Sequence, residues 1–147
     1  MINVGIAGMG AVGKELIKII PKELNLVIYT RSKNNFYDIL ECDIVIDVMD
    51  SLEKSEELFL NIIRSGKTLI LCNKEFVWTH LDAIQMAKNK IYLHSIVCSK
   101  NFNEFPPLDN KNFINFLDKK LFKFRDGGAV EAAAFIKKDL ERALNEI

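Results

Sequence analysis

No apolar run in this chain reaches the roughly 18 residues that a membrane-crossing helix needs. Neither sign of charge is in excess. Twenty Lys and Arg stand against twenty Asp and Glu, so the broad positive field that duplex nucleic acid demands is missing. Cysteine is scarce, and Cys42, Cys72 and Cys98 are odd in number and far apart. That usage fits reduced thiols in a cytoplasmic protein better than a disulfide frame or a zinc site. A strand predicted from Ile2 leaves no stretch before it for a secretory leader. No internal repeat or low-complexity tract interrupts the chain. What remains is a composition of ordinary globular kind, 49% hydrophobic over 147 residues, enough for one domain with a real core.

Within that composition, short apolar runs alternate with helical spacing. Ile2 to Ala7 reads as a buried strand, and Val12, Leu16, Ile19 and Ile20 then recur as on one helix face until Pro21 ends the pattern. Leu24 to Tyr29 is a second strand, and Ser32 to Glu41 has room for one short helical turn. Ile44 to Val48 is a third strand, rich in β-branched residues. Asp50 is placed to cap the next helix, with Glu53 reaching back as in a capping box. That helix buries Leu58, Phe59, Ile62 and Ile63 and stops at Gly66. Thr68 to Cys72 is a fourth strand, Thr79 caps a helix to about Lys88, and Ile91 to Val97 is a fifth strand. Strands that are apolar on both faces belong to a parallel sheet covered by helices on each side. The fold class expected is therefore α/β, a Rossmann-type, open and mainly parallel sheet in a single domain.

The last third reads differently. Asn101 to Asn112 carries Pro106-Pro107 and is expected to be a loop. Six of the ten phenylalanines fall between Phe102 and Phe124, and they read as core cover more readily than as an exposed interface. After Gly127-Gly128, Ala129 to Ile147 is an alanine-rich helix. The chain thus divides into core units over 2–97, a short insert over 98–126 and a terminal helix over 127–147.

The segment Gly8-Met9-Gly10-Ala11-Val12-Gly13 has strand before it and amphipathic helix after it, which lifts a glycine pattern above coincidence. Gly8 permits a tight turn, Gly10 lets a pyrophosphate approach the backbone, and Gly13 lets the helix pack close to the strand. The helix N-terminus offers free N–H groups and the positive end of its dipole to phosphate. All six residues are candidate dinucleotide contacts. About 20 residues beyond such a loop an acid usually marks NAD. Here the place reads Thr30-Arg31-Ser32-Lys33, with no acid. Arg31 can stack on adenine and pair with a 2′-phosphate, and Ser32 and Lys33 add donors. That favours NADP, with NAD as the alternative. Asp47, Asp50 and Ser51 follow the third strand, where a nicotinamide ribose would lie.

These motifs together resemble the homoserine dehydrogenases. Val4-Gly5-Ile6-Ala7-Gly8-Met9-Gly10-Ala11-Val12-Gly13 is similar to that family's opening, and Cys42-Asp43-Ile44-Val45-Ile46-Asp47 to its third strand. Gly66-Lys67-Thr68-Leu69-Ile70-Leu71-Cys72-Asn73-Lys74-Glu75 resembles the strand and Asn-Lys pair that follow. Gly127-Gly128-Ala129-Val130-Glu131-Ala132-Ala133-Ala134 is similar to the segment that returns to the cofactor domain. The resemblance covers roughly residues 2–97 and 127–145. It implies that Asn73 lies near nicotinamide or substrate and that Lys74 is the active-site lysine, stabilising alkoxide charge or relaying a proton.

The departures are as informative. The family places a substrate and dimerisation domain between the fifth strand and the final helix. Here only Ser99 to Asp126 fills that gap. The family's acid- and glycine-bearing segment after the fifth strand corresponds in position to His94-Ser95-Ile96-Val97-Cys98-Ser99-Lys100, where neither acid nor glycine stands. His94 is a candidate proton donor there, against the plainer reading of a structural histidine. Two functions stay open: a small NAD(P)-dependent oxidoreductase, completed by a homodimer or partner subunit, and a non-catalytic dinucleotide sensor.

Overall fold

The computed structural model describes residues 2–33, 35–87, 91–93 and 128–147, with Lys74 and Trp78 described by their backbone only. Five strands form one sheet: β1 (Asn3–Ala7), β2 (Asn25–Tyr29), β3 (Ile44–Asp47), β4 (Thr68–Leu71) and β5 (Ile91–Tyr92). Their spatial order is β2-β1-β3-β4-β5, and every neighbouring pair is parallel. The helices are α1 (Ala11–Ile19), α2 (Phe36–Leu40), α3 (Leu52–Ser65), α4 (Lys74–Thr79), α5 (Leu81–Met86) and α6 (Ala129–Glu146). The doubly wound α/β class expected from the sequence is the one observed.

The two-residue period of each strand divides the core. Val4, Ile6, Ile44, Ile46, Ile70 and Tyr92 face one layer, where Leu16 of α1 and Ala133, Ile136, Leu140 and Ala143 of α6 cover them. Ala7, Val45, Leu69, Leu71 and Ile91 face the other, under Ile39 of α2, Leu58, Phe59 and Ile62 of α3, and Phe76 and Val77 of α4. Alternation in a strand that reads as continuously apolar is the consequence of burial on both faces. The returning chain expected after the fifth strand is present as α6, which packs beside α1. Its small residues Ala133 and Ala143 are buried there.

Helix boundaries depart from expectation in two places. The cap of α3 is Ser51, whose hydroxyl accepts from the Lys54 N–H at 3.1 Å; Asp50 stands one residue outside and is exposed. Glu53 consequently falls at the second helical position, too early to close a capping box. The helix predicted from Thr79 is instead two short ones. Asn73 caps α4 through its Oδ1, which accepts from the Phe76 N–H at 3.1 Å. The Thr79 hydroxyl donates back to the Glu75 and Phe76 carbonyls, so it ends a helix and does not start one. His80 then turns the chain into α5. Lys88, the fifth strand beyond Leu93, His94, Cys98, the loop at Asn101 to Asn112 and the phenylalanine-rich span lie outside the described residues.

Ile136 is fully buried between α6 and the sheet. Ile136→Ala should lower unfolding free energy by about 2–4 kcal/mol, measured by urea denaturation. A loss below about 1 kcal/mol would show that α6 does not belong to this core.

Candidate functional site

The strand order reverses direction between β1 and β3. From β1 the chain crosses to β2 on one side, and from β2 it returns to β3 on the other. In open α/β sheets the crevice at the carboxyl ends of two such strands is where ligands bind. A cleft of about 510 Å³ opens there, within the 300–1,000 Å³ typical of small-molecule sites. Its walls are Gly8, Met9, Gly10, Ala11 and Val12 from the first turn, Tyr29, Thr30 and Arg31 after β2, and Val48, Met49, Asp50, Ser51 and Lys54 after β3.

The glycine loop has the properties that its sequence implies. Gly8 has φ +108°, and a Cβ there would stand 3.0 Å from the Val48 carbonyl oxygen. A Cβ on Gly13 would come within 2.7 Å of the Gly8 carbonyl oxygen, so α1 packs directly beneath the loop. Gly10, the residue before α1, is different. A Cβ there would meet nothing within 4 Å, and this open space faces the cleft that Gly10 lines. Gly10 supplies no side-chain cap, and α1 carries no acidic residue in its first turn. The other described helices, α2 to α6, each carry one: Asp38, Glu53, Glu75, Asp82 and Glu131. The positive end of α1 is therefore left for an anion from outside the chain.

The second wall is the turn after β2. Arg31 lines the cleft. Ser32 and Lys33 are exposed and do not line it; the Ser32 hydroxyl lies 3.0 Å from the Thr30 hydroxyl. Across the cleft, Lys54 in the first turn of α3 is a cation that the sequence reading passed over. Its ammonium stands 5.0 Å from the centre of the Phe36 ring and 3.2 Å from Glu57. The hydrogen bond and charge of Glu57 raise its pKa. The cleft thus carries two basic side chains, Arg31 and Lys54. The signal for Lys54 lay in its position, three residues after a cap, but only the fold brings it to the cleft that Arg31 lines.

The Asn-Lys pair begins α4 at the carboxyl end of β4. The Asn73 side chain is committed within the protein. Besides capping Phe76, its Nδ2 donates to Ser55 Oγ at 2.9 Å and to the Ser51 carbonyl at 3.4 Å. Below it, Asp47 is fully buried at the end of β3. Its Oδ1 accepts from the Met49 N–H at 2.9 Å, and Oδ2 has no partner among the described residues. Desolvation drives the carboxyl from its ordinary 3.8 up to about 6, against the opposing pull of the Met49 amide hydrogen bond and the neighbouring polar Ser55 side chain. Among the described residues no cluster of His, Cys, Asp or Glu could hold a metal ion, and no helix is long and apolar enough to cross a membrane.

The resemblance drawn from the motifs is matched in the fold. A homoserine dehydrogenase from Thiobacillus denitrificans superposes with a TM-score of 0.56 at 22% identity, covering 66% of this chain and 30% of that one. A hyperthermophilic archaeal homoserine dehydrogenase in complex with NADPH gives 0.52 at 17%, over 67% of this chain and 45% of that one. A homoserine dehydrogenase from S. aureus, at pH 7.5, gives 0.55 at 16%, over 89% and 46%. No protein-family model and no curated protein sequence matches. At these identities the likeness establishes the fold, a Rossmann-type α/β domain of the kind homoserine dehydrogenases contain, and this chain spans less than half the length of each.

Asp47 bears on stability through its raised pKa. A carboxyl that ionises near 6 when folded, against 3.8 ordinarily, favours the folded state fully only below about pH 3.8. That contribution is lost as pH rises through 6. By pH 7 the loss is about 3 kcal/mol. Asp47→Asn should therefore be more stable than the parent above pH 7, by about 3 kcal/mol, and nearly indistinguishable below pH 4. Urea denaturation at pH 4, 6 and 8 reads this; equal stability at pH 8 would contradict it.

Proposed function

We propose that this chain binds a nicotinamide dinucleotide as the cofactor domain of a homoserine dehydrogenase-like oxidoreductase, with NADP favoured over NAD. The observation that carries the reading is the uncompensated N-terminus of α1, with open space at Gly10, at the floor of a cleft on the switch point of the sheet. Gly8, Met9, Gly10, Ala11 and Val12 would hold the pyrophosphate, with Gly13 keeping α1 close behind them. Arg31 would meet the adenosine end, and Lys54 faces it with a second positive charge; paired cations suit a 2′-phosphate. Ser32 and Lys33 would add donors from the rim, and Asp50 would reach a ribose hydroxyl. The bound nicotinamide supplies hydride transfer. Lys74, with Asn73 at the head of α4, would stabilise an alkoxide or pass it a proton.

The substrate class implied is a small alcohol or aldehyde such as homoserine or aspartate semialdehyde. Water exclusion and substrate orientation would come from residues beyond this cleft, in a second copy or a partner subunit. The second reading, a dinucleotide sensor without turnover, is favoured by the short span between the fifth strand and α6.

Titration of the full chain should give saturable binding, with NADPH at least tenfold tighter than NADH. Arg31→Ala should cut that preference by about tenfold or more, as loss of a charge-assisted contact does. Equal binding, or tighter NADH, overturns the NADP preference; no binding of either overturns the cofactor reading. Consumption of NADPH with aspartate semialdehyde, abolished in Lys74→Ala, supports the enzyme. Binding without turnover supports the sensor.

A further inference from the structure

At the end of β4 one side chain joins parts of the site that the sheet alone leaves separate. The Cys72 N–H still reaches the Asp47 carbonyl at 2.9 Å, so the chain leaves the sheet at Asn73. Asn73 is buried, and its carboxamide is used on both sides. Oδ1 accepts from the Phe76 N–H at 3.1 Å and caps α4. Nδ2 donates to Ser55 Oγ at 2.9 Å and to the Ser51 carbonyl at 3.4 Å. A carboxamide nitrogen carries two hydrogens, and both find acceptors inside the protein. Ser51 lines the cleft and caps α3 through its hydroxyl. Its carbonyl also accepts from the Ser55 N–H at 3.0 Å. Ser55 is wholly buried, and neither it nor Asn73 lines the cleft.

Capping alone does not call for asparagine. Serine, threonine and aspartate cap helices as well. An ionised aspartate has no donor, and serine or threonine has one hydroxyl hydrogen. Asparagine alone among the four caps α4 and holds two acceptors at the start of α3 together. Past the far end of α4, His80 Nε2 meets Glu56 Oε2 of α3 at 3.1 Å, but that contact is exposed. The buried tie is at the end that begins with Lys74.

We propose that Asn73 is a positioning residue: its carboxamide fixes the head of α4, and with it the Lys74 backbone, against the start of α3 that walls the cleft, and it touches neither cofactor nor substrate. What the wall and Lys74 act on rests on the dinucleotide reading; the tie itself does not. With both N–H groups committed, Asn73 has none to offer a nicotinamide or a substrate oxygen. Its part in the Lys74 chemistry is to aim the helix that carries the lysine.

NMR and urea denaturation of the full chain without nucleotide test the tie. In Ser55→Ala the Asn73 carboxamide hydrogens should exchange with water at least about tenfold faster, while the Phe76 amide, still capped, keeps its protection within about threefold. Ser55→Ala should raise the unfolding equilibrium constant at least about fivefold less in an Asn73→Ser background, which keeps a cap, than in the parent. Unchanged carboxamide exchange, or additive stability effects, overturns the tie. ADP-ribose, the dinucleotide without its nicotinamide, tests the positioning. At saturation it should shift the Lys74 amide in the parent, and at most about half as far in Ser55→Ala. An equal shift in both overturns the positioning. NADPH affinity should fall by the same factor, within about threefold, in Asn73→Ser and Ser55→Ala. A loss at least about tenfold greater in Asn73→Ser places the carboxamide on the ligand and overturns the assignment. A parent that binds neither nucleotide refutes the cleft reading, and exchange and stability still decide the tie.

Discussion

The approach of α1 to the end of β1 sets the rest of the site. The place a Gly13 Cβ would occupy is 2.7 Å from the Gly8 carbonyl oxygen, so the helix can begin only where it does. The Gly8 N–H reaches the Tyr29 carbonyl at 3.1 Å, and the Val48 N–H reaches the Ala7 carbonyl at 2.9 Å. The loop is thereby held between the ends of β2 and β3. One close contact fixes the helix start, and the two hydrogen bonds fix the walls on either side. The cleft follows from these three constraints and does not need a ligand to define it.

Much of this was legible in the residues. The near-continuous apolar runs at Ile2 to Ala7, Ile44 to Val48 and Thr68 to Cys72 already marked strands buried on both faces of a parallel sheet. The stop of α3 at Gly66, with φ +70°, was legible too: left-handed backbone selects glycine locally. The caps were less so. Asp50 and Ser51 are both good capping residues, and which one serves depends on where β3 releases the chain. That point is set by Asp47, whose Met49 contact keeps the backbone bent for one residue more. A side-chain-to-backbone hydrogen bond across two residues decided a boundary that propensity left even.

The break between α4 and α5 has a similar origin. Read along the sequence, Thr79 has the chemistry of a helix start. In the fold, Asn73 has already taken that role, and the His80 ring stacks on Phe76 at 4.2 Å between ring centres. Its Nε2 lies 3.1 Å from Glu56 Oε2 on α3. These contacts join residues up to 24 positions apart, and no local window contains them. Lys54 is the same case in the site itself. As sequence it is a helix-surface lysine. The pairing of strands around the switch point makes it a wall of the cleft.

Charge in this domain is distributed in a way that neutrality of composition conceals. The net balance is zero, yet cations and a free helix terminus gather at the mouth of the cleft, while one carboxyl is sunk beneath its wall. The surface cations are cheap to keep, since solvent screens them. The buried carboxyl is not, because desolvation opposes its charge at every pH above its pKa. Val48 and Met49 of the wall pack against the core on either face of the sheet, and the Met49 N–H needs an acceptor wherever water is excluded. Asp47 meets that need from below with its Oδ1 at 2.9 Å, which an alanine or leucine in the same position could not do. The cleft is thus shaped from above by the absence of side chains in the glycine loop, and from beneath by the presence of a charged one.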